Sequence, residues 1–152
     1  LAYVLGLATV YSVLGLIAAP YRGSYSASKF AVEALADTLR MELQGSGIYV
    51  SLIEPGPIAT RFVERAIEAY RRNVDLEASV HRDIYRVRIA SMEAGGKSTF
   101  KLEPEAVAKK LVHAVESANP RRRYYVTIPT YLAAAVKRLA PAAVVDHFAK
   151  KI

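Results

Sequence analysis

The sequence contains no cysteine. That excludes a disulfide framework, a thiolate metal centre and a cysteine nucleophile, and it suits a reducing compartment, so the chain is read as cytoplasmic. Histidine is scarce: His81, His113 and His147 stand far apart and match no metal-ligand spacing, so no metal is expected. Charge is missing altogether between Leu1 and Pro20, a run that could pass for a membrane span or a signal-peptide core. No basic segment precedes it, however, it starts at Leu and not Met, and Ser12, Gly15 and Pro20 interrupt it where a strand would become a loop. A strand buried on both faces gives the same continuous apolar run. A membrane-anchored protein using residues 1–20 stays as an alternative reading. Acidic side chains are fewer than basic ones, 14 against 21, for a formal charge of +7. The excess is scattered, apart from Arg71-Arg72 and Arg121-Arg122-Arg123, so it reads as solvated surface and not as a nucleic-acid face.

What is present is enough for a core. The chain has 152 residues, 53% of them hydrophobic, which suffices for one domain. Strand and helix signals alternate along it. An apolar strand is expected to end at Ser12. Residues 24–44 set Phe30, Leu35, Leu39 and Leu43 among Glu33, Asp37, Arg40 and Glu42, the pattern of an amphipathic helix stopped at Gly45. Ile48 to Ile53 reads as a buried strand closed by the turn Pro55-Gly56-Pro57. Residues 61–94 favour one or two helices, ended by Gly95-Gly96, and Glu103 to Ala118 favours another, with Pro104 in its first turn. Tyr124 to Ile128 reads as the last strand, and Tyr131 to Ile152 as two short helices separated by Pro141. Such alternation indicates an α/β fold with a parallel sheet of about three strands.

Residues capable of chemistry gather between positions 12 and 60. Tyr25 and Lys29 stand four apart on the expected helix, so both emerge on one face. A phenol titrating near ~10 is a poor acid or base at neutral pH, but a neighbouring ammonium favours the phenolate and lets it shuttle protons. Alone, the pair is weak evidence, because helix surfaces carry many such spacings. Ser12, thirteen residues before Tyr25 at the end of a strand, adds a hydroxyl able to hold a substrate oxygen. The turn Pro55-Gly56-Pro57-Ile58-Ala59-Thr60 leaves the next strand at the same sheet edge, where open α/β sheets bind ligands. Glu54, just before that turn, is read either as a substrate contact or as a turn cap.

Three stretches, Tyr11-Ser-Val-Leu-Gly15, Tyr25-Ser-Ala-Ser-Lys29 and Glu54-Pro-Gly-Pro-Ile-Ala-Thr60, in this order and spacing, resemble the short-chain dehydrogenase/reductase family. Pro104-Glu-Ala-Val-Ala108 and Arg123-Tyr-Tyr-Val126 more loosely resemble the branch with bacterial aldehyde reductases and retinol or hydroxysteroid dehydrogenases. The resemblance implies the C-terminal part of a Rossmann-like, doubly wound parallel sheet. It implies an NAD(P)-dependent oxidoreductase interconverting an alcohol with an aldehyde or ketone, NADP being the favoured nucleotide. In that reading Tyr25 donates or takes the proton, Lys29 lowers the tyrosine pKa and binds the nicotinamide ribose, and Ser12 orients the carbonyl. Pro55, Gly56, Ile58 and Thr60, with Tyr25 and Lys29, would contact the cofactor.

The same resemblance divides the chain into residues 1–60 for the catalytic strands and helix, 61–101 for a lobe over the substrate, and 102–152 for the last helix, strand and tail. It also implies a homo-oligomer formed partly through the helix bearing Tyr25. The family's Gly-rich pyrophosphate turn would lie upstream of Leu1, and Tyr11 stands where the family often has a second serine. On this reading the chain is one partial domain, inactive alone. The competing reading is a non-catalytic α/β interaction module in which the tyrosine-lysine pair is a relic.

Overall fold

The computed structural model describes the backbone of residues 3–7, 18, 20–94 and 101–149. Three strands, β1 (Tyr3–Leu7), β2 (Ile48–Glu54) and β3 (Arg123–Tyr125), form a parallel sheet in the order β1-β2-β3. Leu5 pairs with Val50, Leu7 with Leu52, Leu52 with Arg123 and Glu54 with Tyr125. Parallel neighbours need crossover connections, and helices supply them here. Helix α1 (Gly23–Glu42) links β1 to β2. Helices α2 (Phe62–Asn73), α3 (Arg82–Glu93) and α4 (Glu105–Glu116) lie between β2 and β3. Two more, α5 (Ile128–Leu139) and α6 (Ala142–Ala149), end the described chain on either side of Pro141. The architecture is α/β, a partial Rossmann-like sheet.

The period-two alternation of a strand explains how β2 holds the layers together. Val50 and Leu52 point to one face and pack on Ala36 of α1, with Val32, Leu39 and Leu43 around them. Ile53 points to the other face and packs with Ala114 of α4 and Tyr124 of β3, flanked by Val107 and Val126. Both faces of β2 are therefore covered, and its residues from Val50 to Glu54 are all buried. A third cluster joins Ala133 and Ala134 of α5 to Ala149 of α6, with Tyr125 and Val145 against it. Helix α1 stops as its sequence suggests: Gly45 takes a left-handed φ of 83°, a conformation that costs glycine little.

One expectation changes. The last strand is shorter than Tyr124 to Ile128, because Thr127 already precedes α5 and Pro129 sits in that helix's first turn. β-branched residues there open a helix, where a proline's missing N–H is harmless. The segment from Arg61 to Glu93 forms two helices, within the expected one or two, joined by ring contact of Tyr70 with Tyr85 at 5.6 Å and by the pair Arg71–Glu93, while Arg86 of α3 holds Glu77 of the connection. Gly95 and Gly96 lie outside the described residues. Among the described residues, no helix is long and apolar enough to cross a membrane.

Candidate active site

A parallel sheet directs the carboxyl ends of its strands to one edge, and the helix between two strands starts at that edge. Electrostatic contacts fix the level of α1 against it. Arg123, opposite Leu52 in the sheet, donates from Nη2 to both Asp37 carboxylate oxygens at 3.1 and 2.9 Å and lies 3.7 Å from Glu33 Oε2. Glu33 is thus level with the end of β2. Lys29 and Tyr25, four and eight residues earlier, stand about 6 and 12 Å further along the helix axis. Both therefore project past the carboxyl ends of the strands.

The structure brings these two side chains together. Lys29 Nζ is 5.4 Å from the Tyr25 ring centroid, within cation–π range, and both residues are half-buried. The Ser28 hydroxyl donates to the Tyr25 carbonyl at 2.7 Å, and Ser26 is buried. Ser12 and Tyr11 lie outside the described residues.

The turn after β2 is held from below. Pro55 and Gly56 are buried, Pro57 and Ile58 half-buried, Thr60 exposed. Gly56 has φ 74°, and a Cβ there would lie 2.1 Å from Thr127 Oγ1 and 2.2 Å from Thr130 Oγ1. Those two buried hydroxyls bond to one another at 2.9 Å, so the first turn of α5 forms the floor of the Gly56 turn. Further along, Ala59 N donates to Leu102 O at 2.9 Å and Leu102 N to Pro57 O at 3.2 Å, and Thr60 Oγ1 accepts from Phe62 N at 3.4 Å.

The Glu54 carboxylate does not cap the turn. It is fully buried, and neither carboxylate oxygen has a hydrogen bond among the described residues. Arg123 Nε stands 3.4 Å from Oε1, close enough to act by charge alone. Burial, reinforced by the Glu33 charge, pushes its pKa up to about 7, while Arg123, Lys137 and Arg138 pull the other way. Asp37 goes in the opposite direction: burial raises it, but hydrogen bonds from Arg40 and Arg123 outweigh that and leave it below the usual carboxylate range. This cluster joins α1, β2, β3 and α5, since Lys137 Nζ lies 3.8 Å from Glu33 and 4.0 Å from the Phe30 ring centroid. Sequence reasoning missed Arg123, Glu33, Asp37, Thr127 and Thr130. A carboxylate closing a continuous apolar strand run was the one available signal.

The histidines have other work. His113 Nδ1 and the Tyr124 hydroxyl are 3.0 Å apart, and His81 meets Tyr21 and Tyr85 ring to ring. Among the described residues no group of three possible metal ligands occurs.

Comparison with known proteins decides the family. The short chain dehydrogenase profile matches residues 7–71. An uncharacterized oxidoreductase, YbbO, of Escherichia coli (strain K12) is 47% identical over 135 residues, covering 89% of this chain and 44% of YbbO. Human 17-beta-hydroxysteroid dehydrogenase type 1 is 34% identical over 120 residues, 76% of this chain and 35% of that protein. An NADPH-dependent 3-dehydrocapnine reductase of Ornithobacterium rhinotracheale is 34% identical over 139 residues, 90% of this chain and 47% of the reductase. The chain belongs to the short-chain dehydrogenase family. It spans less than half the length of these relatives.

Short-chain dehydrogenases generally use NAD or NADP. The residues described fit one end of such a cofactor: an ammonium at Lys29, a tight turn whose Gly56 follows a left-handed path, and the exposed Thr60 hydroxyl lie at the ligand-binding edge. No glycine-rich strand-turn-helix of the pyrophosphate-binding kind occurs in the sequence.

Proposed function

We propose that this chain carries the proton-transfer half of an NAD(P)-dependent oxidoreductase that interconverts an alcohol and an aldehyde or ketone. The observation that carries the reading is the Tyr25–Lys29 pair beyond the carboxyl edge of the sheet, on the same edge as the Pro55-Gly56-Pro57 turn. The nicotinamide supplies or accepts hydride when bound. Tyr25 Oη gives its proton to the carbonyl oxygen in reduction and takes it back in oxidation. Lys29, beside the Tyr25 ring, holds the nicotinamide ribose. Ser12 orients the substrate oxygen. Pro55, Gly56, Ile58 and Thr60 line the cofactor side of the site, and residues 61–101 cover the substrate.

NADP is the nucleotide we favour, in line with the NADPH-dependent relative. The full-length protein pairs helices, α1 among them, in a homo-oligomer, and Leu35 and Met41 of α1 are exposed here. We assign it to the cytoplasm.

The test is steady-state reduction of a panel of aldehydes and ketones by the full-length protein, with NADPH and with NADH. Tyr25→Phe should lower kcat by roughly 10²–10⁴, the usual worth of a positioned general acid. It should leave cofactor affinity nearly intact. An unchanged rate in Tyr25→Phe removes the proton donor and the reading with it.

A further inference from the structure

The loop before α1 and the start of α3 meet through their rings. Tyr21 stands 6.1 Å from His81, edge to face, and His81 stands 6.2 Å from Tyr85. His81 precedes the first turn of α3, Tyr85 comes four residues later and Arg88 three after that, so the three share one stripe of the helix. Arg22 follows Tyr21 and starts α1, its carbonyl accepting the Ser26 amide at 2.9 Å. The ring contacts thus bring two guanidinium-bearing segments together, one of them three residues ahead of Tyr25.

These two arginines differ from their neighbours. Arg22 and Arg88 are half-buried, whereas every other arginine between Arg61 and Glu93 is exposed. Several of the exposed ones have carboxylate partners, as in Arg61–Glu64, Arg71–Glu93 and Arg86–Glu77. Neither Arg22 nor Arg88 makes an ion pair with a carboxylate among the described residues. They do feel one another: burial holds the Arg22 guanidinium below its ordinary value, the Arg88 charge lowers it further, and Tyr25 acts the opposite way. Two like charges drawn partly out of water are unfavourable by themselves, and an anion held between them reverses the sign with charge-assisted hydrogen bonds.

We propose that Arg22 and Arg88 recognise the substrate, so that the protein acts on carbonyl or alcohol compounds carrying an anionic group, a carboxylate or a phosphate monoester. The inference rests on the activity proposed above, with Tyr25 at the reacting oxygen. A guanidinium three residues from Tyr25 then sets where the anionic end goes, and the carbonyl end is left facing the phenol.

Matched pairs of aldehydes test it in the full-length protein: 4-oxobutanoate against butanal, and glyceraldehyde 3-phosphate against glyceraldehyde, with NADPH or NADH in excess. The anionic member of at least one pair should be favoured in kcat/KM by about tenfold or more, the worth of one charge-assisted hydrogen bond. Which pair shows the preference distinguishes carboxylate from phosphate. In Arg22→Met and Arg88→Met the ratio should fall to about one, mainly through a higher KM for the anionic member. A ratio near one for both pairs in the unmodified protein, or a ratio that survives both substitutions, overturns the proposal.

If folded protein reduces none of the four, the oxidoreductase reading is what fails. The arginine pair is then decided by calorimetric titration with succinate and with inorganic phosphate. Saturable binding that Arg22→Met abolishes upholds the anion site, and its absence overturns it.

Discussion

Glu54 is the residue whose environment departs furthest from its chemistry. A carboxylate with no hydrogen bond and no exposure prefers to be neutral, and its pKa of about 7 expresses that preference. An unfolded glutamate titrates near ~4.3, so between about pH 4.5 and 7 folding takes up a proton. The stabilising contribution is greatest at low pH and is lost as pH rises through about 7, amounting to about 4 kcal/mol at most. Glu54→Gln keeps the shape and removes the titration. Urea unfolding of the full-length protein at pH 5 and pH 8 should show a drop for the parent that is smaller in Glu54→Gln, with the variant the more stable of the two at pH 8. Equal drops in both proteins would mean that Glu54 is ionised throughout.

The Arg123 guanidinium balances the same cluster from the other side. Burial lowers its affinity for the proton, but the Asp37 hydrogen bonds and the charges of Asp37, Glu33 and Glu54 more than restore it. Arg123→Met would leave the three carboxylates with Arg40 on Asp37 and Lys137 beside Glu33 as the remaining cations, and with no ion pair to Glu54 among the described residues. Removing one partner of a buried charge cluster costs roughly 3–5 kcal/mol. Chemical denaturation should read a loss of that order at pH 8 and a smaller one at pH 5, where Glu54 is protonated.

Among the elements, those with regular apolar spacing were legible before any coordinates. Phe30, Leu35, Leu39 and Leu43 marked α1, although Leu35 turns out to be exposed while Ala36 takes the core position against β2. Ile48 to Ile53 marked β2 because a strand covered on both faces admits few polar side chains. The boundary between β3 and α5 was illegible, since Val126, Thr127 and Ile128 have strand propensity and only tertiary packing assigns Thr127 to the helix start. The Tyr25–Lys29 spacing could be read from four-residue periodicity alone. Arg123 could not, because it stands 86 residues from Asp37 and no local pattern reports such a pairing.

The Gly56 turn shows the same limit at the level of two elements in contact. Sequence gives a Pro-Gly-Pro turn, whereas the reason that glycine is required lies in α5. Gly56→Ala would place a methyl group against both Thr127 and Thr130 hydroxyls while holding alanine at a positive φ. Left-handed backbone costs alanine about 1–2 kcal/mol, and overpacking typically adds 1–3. The expected loss in the full-length protein is about 2–5 kcal/mol by urea titration, accompanied by weaker NAD(P)H binding as the turn lifts away from its floor. Thr130→Ser, which keeps the hydroxyl pair, should leave both measurements close to those of the parent.

For the molecule as a whole, the apolar surface is the feature that bears on stability. Leu35 and Met41 on α1 are 52% and 63% exposed, and Leu132 and Leu139 on α5 are 61% and 85% exposed. Large aliphatic side chains left this open on two helices are surfaces that the described residues do not cover. Among the described residues, β1 is paired with β2 alone, which leaves its other edge to be paired as well. Cofactor binding scales the same way: the groups described here would hold the nicotinamide ribose, but most of a dinucleotide's charge sits on its pyrophosphate, which needs a helix N-terminus behind a glycine-rich turn. Residues 1–152 produced alone should therefore unfold at low urea, bind an apolar dye in native buffer, and give no saturable signal on titration with NADH or NADPH. Fluorescence titration showing saturable micromolar binding by this polypeptide would place enough of the dinucleotide site within these residues to make a glycine-rich turn unnecessary.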